Sequence, residues 1–500
     1  MTIVRSRTPR VRTRLERDSL GEVRVPAEAL YGAQTVRALE NFPISGLRPH
    51  PAFVEATVKV KLAAARVNRR LGLLPSRKGR AIERAAREVL SGRFREAFVV
   101  DVYQAGAGTS HHMNVNEVLA NRACELLGGE RGDRSLVDPN DDVNMAQSTN
   151  DVIPTAMRLA VLELAPRVTE ALAALSETFA GKARRFGDVV KSGRTHLMDA
   201  TPMRLGQEIS GWAVALRAAA LRLRDSLPEM GALGLGGTAV GTGLNADPRY
   251  RRLVVRELAR STGLPLVAAP NPFYAMQSLA PFAAVSGALR TAALELIRIG
   301  GDVRLLGSGP TTGLAELRLP AVQPGSSIMP GKLNPSMAEM LAMVCFQVLG
   351  LDAAVAAAVA AGQLELNVMM PLVAYDLCHA LTILAAAVTA FDRRCARGLE
   401  ADRERCRHYA ERTVSLATAL APRVGYAAAA EIVKASVASG RPIAALASER
   451  GDLSPRAARR LLDPARLTRP YRLEARRGGP PPAAGGTGRS GASARRRGGV

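Results

Sequence analysis

Between Asp151 and Arg397 the sequence carries five long segments in which alanine and leucine recur at three- and four-residue steps. They run over about Asp151–Phe186, Ala200–Leu227, Pro272–Leu306, Pro335–Ala361 and Pro371–Arg397. Each predicts a helix of about thirty residues, roughly 45 Å long at ~1.5 Å per residue. The mean globular helix has only about 11–12 residues. Such long helices with wide apolar faces must bury them against one another or against other copies of the chain. The pattern therefore predicts a mainly all-α protein, built on a central five-helix bundle that oligomerises. Composition agrees. Aromatic residues are 4% of the chain, and the 47% apolar content is mostly Ala, Leu and Val, which favours helix over sheet.

Around the bundle, residues 12–147 read as a mixed α domain, residues 148–399 as the bundle itself, and residues 400–470 as a small helical domain. Pro154 is acceptable in the first turn of its helix. Residues 1–11 and 471–500 read as disordered tails, the latter rich in Gly, Pro and Arg.

Several function classes are disfavoured by simple chemistry. The charged start "MTIVRSRTPRVRTRLER" is not a signal peptide. The most apolar run, Leu351–Gly362, is shorter than the ~20 residues that span a bilayer and reads as buried helix. The five cysteines (Cys124, Cys345, Cys378, Cys395 and Cys406) form no CxxC pair, which points to a reducing compartment, the cytoplasm. About half of the +23 net charge lies in two ends: residues 1–17 carry six Arg and one Glu, and residues 471–500 carry seven Arg and one Glu. That placement argues against a nucleic-acid-binding surface, although basic tails attract acidic partners non-specifically.

Small polar residues interrupt the helical pattern at three places: "GAGTSHHMNVNE" (106–117) with "NMAQSTND" (144–151), "SGRTHLMDATP" (192–202), and "GSSIMPGKLNP" (325–335). Hydroxyls, amides and free N–H groups at helix N-termini are ready anion sites, although Ser148, Thr149 and Asn150 are also ordinary helix caps. Lys332 is conspicuous because the chain has only seven lysines among 68 basic residues. With His196 and the paired hydroxyls of Ser326 and Ser327, it suits a small dianion: lysine supplies a point charge, histidine a titratable group. No metal-ligand spacing or Walker-type loop is present. "LGLGGTAVGTGLN" (from 233) has glycines like a dinucleotide loop, but no strand alternation precedes it.

"GSSIMPGKLNPSMAE" resembles the signature loop of the aspartase/fumarase superfamily, GSSxMPxKxNxxxxE. "RDSLGEVRVPAEALYGAQTVRALENF", "QSTND", "GRTHLMDATP" and "GTAVGTGLNADP" resemble the same family in the same order, over about residues 12–470. The resemblance implies a three-domain lyase, a homotetramer with a twenty-helix core, and active sites shared between three subunits. It implies a small dicarboxylate substrate and neither cofactor nor metal. Carried over position by position, Ser326 is the base, acting as an alkoxide, and Glu339 orients His196. Thr109, Ser148, Thr149 and Ser327 hold the carboxylate that becomes an enediolate. Thr195, Lys332 and Asn334 hold the other carboxylate. Asn150 and His196 face the leaving group. The glycines and prolines let the loop close over substrate.

Within this family "GAGTS", "QSTND", "GQLELNVMMP" and "ENFPISG" lean toward aspartases, and "GRTHLMDATP" toward fumarases. The expectation is aspartate ammonia-lyase, converting L-aspartate to fumarate and ammonia. The alternatives are a class II fumarate hydratase and a non-catalytic structural member. Three departures stand out: Asp138 and Asp142 replace the histidines of HPNDHVN, which puts a secondary dicarboxylate site in doubt; "SGPTTG" lacks the usual arginine; and His112 stands where an Asn is usual.

Overall fold

The computed structural model describes residues 12–472. The tails expected to be disordered, 1–11 and 471–500, lie outside the described residues except for Tyr471 and Arg472. The chain forms two compact units. One comprises the residues up to Arg184 together with Ile209–Glu400; the other comprises Arg185–Glu208 and the residues from Ala401 onward.

The first unit opens with an antiparallel hairpin, β1 (Thr13–Asp18) and β2 (Gly21–Pro26). Helices α1 (Ala33–Asn41), α2 (Pro51–Arg70), α3 (Ser76–Leu90) and α4 (Thr109–Leu126) follow. Val58 and Leu62 of α2, Ile82 and Val89 of α3, and Val115 and Leu119 of α4 share one core. The buried Glu117 ties α1 to it by accepting N–H bonds from Gly32, Gln34 and Thr35 and the Thr35 hydroxyl. Together these satisfy donors that a helix start leaves orphaned.

Helix α5 (Thr149–Arg185) spans 37 residues and runs through both Pro154 and Pro166. Pro154 thus falls in the second turn rather than the first. Each proline forfeits one i→i−4 bond, and the long buried face of α5 offsets the loss. The segment expected as helix from Ala200 begins instead as strand. An antiparallel pair, β3 (Val190–Thr195) and β4 (Met198–Arg204), precedes α6 (Leu205–Asp225). Thr201 and Pro202 suit an edge strand better than a helix interior. Helix α7 (Tyr250–Thr262) leads to another correction. The expected helix 272–306 is broken into α8 (Pro272–Gln277) and α9 (Ala280–Leu306), because Ser278 is extended and Pro281 restarts the helix at its first turn. Helices α10 (Ser336–Ala360) and α11 (Met370–Arg394) complete the bundle close to their expected bounds.

Helix α10 packs between α9 and α11. Leu341, Cys345, Val348 and Val355 line its buried face, and Asp352 pins α9 by accepting from Ser286 and Arg290. The apolar run at 351–362 begins in this helix. By length and composition α9, α10 and residues Met370–Gly398 are each apolar enough to cross a membrane, so the run's shortness does not exclude one. Met343 and Phe346, 63% and 57% exposed, lie on a face of α10 that the described residues of its own chain leave uncovered.

The second unit holds the β3–β4 hairpin, against which α12 (Arg403–Arg412) packs. Short helices α13 (Ala421–Val424), α14 (Tyr426–Ser439), α15 (Ile443–Glu449) and α16 (Pro455–Leu461) surround a small core of Leu416, Leu420, Ile432, Ile443 and Leu462.

Candidate active site

The loop before α10 is a closed structure. The Gly325 N–H donates to the Lys332 carbonyl at 2.9 Å, and Asn334 Nδ2 donates to the Gly325 carbonyl at 2.6 Å. A Cβ on Gly325 would lie 2.6 Å from that lysine carbonyl, so the crossing requires glycine. Within this loop Ser326 Oγ accepts backbone N–H bonds from Ile328 at 3.2 Å and Met329 at 2.9 Å. Two donors fixed on one hydroxyl oxygen are what a negative charge there requires. Ser327 and Lys332 are exposed, and Asn334 is half-buried. Glu339, in the first turn of α10, lies 3.9 Å from Arg304.

Thr109, Ser148, Thr149 and Asn150 form a second group at the N-termini of α4 and α5. Ser148 and Asp151 make a reciprocal cap: Ser148 Oγ accepts from the Asn150 N–H, and Asp151 Oδ1 accepts from the Ser148 N–H. Asp151 Oδ2 accepts from the N–H groups of Gly236 and Thr238, and Asn150 Nδ2 donates to the Ala239 carbonyl. The glycine-rich stretch set aside as a dinucleotide loop is therefore clamped onto the start of α5. Burial raises the Asp151 carboxyl to about 6, against the pull of those three backbone donors. The Ala107 N–H donates to the Val368 carbonyl, which joins the group to the start of α11.

Beneath the group lie Lys61, which no sequence motif contains, and His112, which stands where an Asn is usual. Lys61 Nζ is wholly buried and makes three bonds: to His112 Nε2 at 2.6 Å, Asn144 Oδ1 at 2.9 Å and Gln147 Oε1 at 3.0 Å. His112 Nδ1 lies 2.8 Å from Thr149 Oγ1. Burial holds the Lys61 ammonium well below its usual range; burial and the Lys61 charge do the same to His112. A lysine among Val54, Val58, Leu62 and Ala65 on the apolar face of α2 was the available signal.

Thr195 and His196 belong to the second unit, at the exposed end of the β3–β4 hairpin. His196 and Leu197 form a two-residue turn with φ of +55° and +60°. Such turns prefer Asn-Gly, and non-glycine residues held there mark a constrained site. The same holds more widely. Among the described residues, every non-glycine with positive φ except Phe94 and Ala315 falls in a polar cluster or in a motif that resembles the family: Ala107, Ala146, His196, Leu197, Thr238, Asn245 and Leu364.

One chain does not bring the expected site residues together. Ser326, Ser327, Lys332, Asn334 and Glu339 sit at the N-terminal end of α10. Thr109 sits at its other end, because Ala107 bonds to Val368 in the short turn that joins α10 to α11. The 25 residues of α10 separate the two groups by roughly 37 Å.

Asp138 and Asp142 have local partners. Asp138 caps the N–H groups of Asn140 and Asp141. Asp142 Oδ2 accepts from the Asp138 N–H and from Lys78 Nζ.

Residues 21–350 match the family described as Lyase, and residues 416–469 match the one described as Fumarase C C-terminus. The chain is 50% identical over 84% of its length to the class II fumarate hydratase of Ralstonia nicotianae, of which it covers 92%. Five further relatives of that name are 45–49% identical. An aspartate ammonia-lyase of a Bacillus species is 43% identical over 91% of the chain and 98% of that relative. Among solved structures, the class II fumarase of Schistosoma mansoni is similar with a TM-score of 0.89, at 38% identity over 92% of this chain and all of that one.

These likenesses overturn the expectation of aspartate ammonia-lyase, since the higher identities belong to fumarate hydratases. The physical reason lies in the motifs that favoured aspartate. "GAGTS" and "QSTND" cover few positions, and likeness over most of the chain outweighs them. On the roles that the resemblance implies, Thr109, Ser148 and Thr149 of these motifs hold a carboxylate that both substrates share, so they carry no information about whether ammonia or water departs.

Proposed function

This chain belongs to the aspartase/fumarase superfamily of lyases, and we propose that within it the reaction is the reversible hydration of fumarate to L-malate. The observation that carries this reading is the near-full-length likeness to proteins named class II fumarate hydratase. It is supported by the two backbone N–H groups on Ser326 Oγ.

Starting from L-malate, the Ser326 alkoxide takes the proton from the carbon beside one carboxylate. That carboxylate becomes an enediolate, whose added charge is held by Thr109, Ser148, Thr149 and Ser327. Lys332, Asn334 and Thr195 hold the second carboxylate and fix the orientation of the reacting carbon. The hydroxyl on the neighbouring carbon takes a proton on the side faced by Asn150 and His196 and leaves as water. Glu339 orients His196.

Because the Ser326 and Thr109 groups stand about an α10 length apart in one chain, the complete site uses more than one copy. We assign three copies to each site, in a cytoplasmic homotetramer whose packing covers Met343 and Phe346. The purified protein, offered L-malate and L-aspartate separately, tests the reaction through the ultraviolet absorbance of fumarate. Fumarate from L-aspartate with none from L-malate would sink the reading.

A further inference from the structure

We propose that His112 is a positioning residue that turns the Thr149 hydroxyl outward as a hydrogen-bond donor, through a one-way chain from Lys61 to His112 to Thr149. The inference rests on the reading of Thr149 as a carboxylate-binding residue.

The direction of the chain follows from groups around Lys61 whose roles are already fixed. Asn144 Nδ2 donates to the Gln147 carbonyl, and Gln147 Nε2 donates to the carbonyls of Val143 and Met145. Both amides thus present their oxygens to Lys61 Nζ, at 2.9 and 3.0 Å. As the ammonium, the form this proposal requires, Lys61 has three hydrogens and no acceptor. Two hydrogens go to the amide oxygens, and the third points along the 2.6 Å line to His112 Nε2. His112 Nε2 is then an acceptor, so the ring proton sits on Nδ1. Nδ1–H donates to Thr149 Oγ1 at 2.8 Å. With its oxygen already accepting from the ring, the Thr149 hydroxyl directs its own hydrogen away from His112.

The charged and titratable groups facing His112 come from three helices: Lys61 on α2, His111 on α4, and Asp151 on α5, which acts on Lys61. Burial works against the Lys61 ammonium, while the negative Asp151 and the two facing amide oxygens favour it; burial and that ammonium disfavour a positive charge on His112. His112 and Lys61 are 1% and 0% exposed, so bulk water does not compete for these bonds. An asparagine, usual at this position in the family, preserves the direction, since its amide oxygen accepts and its NH₂ donates.

The polarity is read directly by magic-angle-spinning 15N spectra of the full chain labelled at histidine, with His112→Asn identifying the signal. The expected result is a neutral Nδ1–H ring whose shifts stay constant across the range in which exposed imidazoles titrate. An Nε2–H ring, or an imidazolium, overturns the proposal. Kinetics supply a second reading. His112→Leu should lower kcat/KM for L-malate roughly tenfold to a hundredfold, as expected for a lost bond to a charged group, and His112→Asn should recover most of that loss. Equal losses in both variants, or none in His112→Leu, also overturn it. If the wild-type protein turns over neither malate nor fumarate, the proposed reaction fails, and the 15N spectrum still decides the polarity of the chain.

Discussion

The hydroxyl oxygen of Ser326 lies 2.9 Å from the backbone nitrogen of Met329 and accepts its N–H. A serine alkoxide is implausible in bulk water. Here the loop spends two backbone donors on that oxygen before any substrate arrives, and preorganised donors of this kind need no rearrangement when the charge forms.

Removing the oxygen removes the proposed base. Ser326→Ala should lower kcat for L-malate by about 10²–10⁴-fold, with an unchanged circular dichroism spectrum. Turnover at the wild-type rate would dismiss Ser326 from the reaction.

Gly325 tests the loop without touching a reacting group. An alanine Cβ would meet the Lys332 carbonyl and, at 2.7 Å, the Asn334 nitrogen. Gly325→Ala should therefore displace the loop and cost about 10²-fold in kcat. The loop is largely exposed, so the melting temperature should hardly change. A fully active Gly325→Ala would show that the crossing is not needed for turnover.

The separation of Ser326 from Thr149 makes complementation possible. Ser326→Ala and Thr149→Val should each be nearly inactive alone. Co-expressed in one cell, they should form mixed oligomers in which some sites draw an intact Ser326 and an intact Thr149 from different copies. Activity of the mixture no higher than that of either variant would place the whole site within one chain.

Asp376 on α11 offers a stability test far simpler than catalysis. It is buried, one of its carboxylate oxygens has no partner among the described residues, and burial raises its carboxyl from 3.8 to about 6. The sign follows from the raised value: the folded state holds the proton more tightly than the unfolded state. Its contribution to stability is thus complete below about 3.8 and is lost as pH rises through about 6. Asp376→Asn does not titrate. Its melting temperature relative to wild type should climb across that window and level off above it; a difference independent of pH would contradict the assignment.

Much of this protein is legible in its residue order. Helices α5, α10 and α11 follow from apolar periodicity because their buried faces repeat at 3.6 residues over many turns, so an error at one end changes little. The loop "GSSIMPGKLNP" stands out because Lys332 is rare in its context, and its companions supply the family. The β3–β4 hairpin is not legible in the sequence because its turn uses His196 and Leu197, not the Asn-Gly that usually announces such a turn. The leaving group is less legible, because short motifs such as "GAGTS" and "QSTND" lean one way while likeness over most of the chain leans the other.

Residue order carries most of the helices, the polar loops between them and the superfamily, all of which depend on local periodicity or on residues close together in the chain. Which polar groups share a neighbourhood is set by packing. It seated Lys61 against His112 and Asp151 against Gly236, contacts spanning 51 and 85 residues. It also set Ser326 and Thr109 at opposite ends of α10. The reason is geometric: a rigid helix of 25 residues carries its two ends about 37 Å apart, and no local pattern states which neighbour, from its own chain or another, will meet each end.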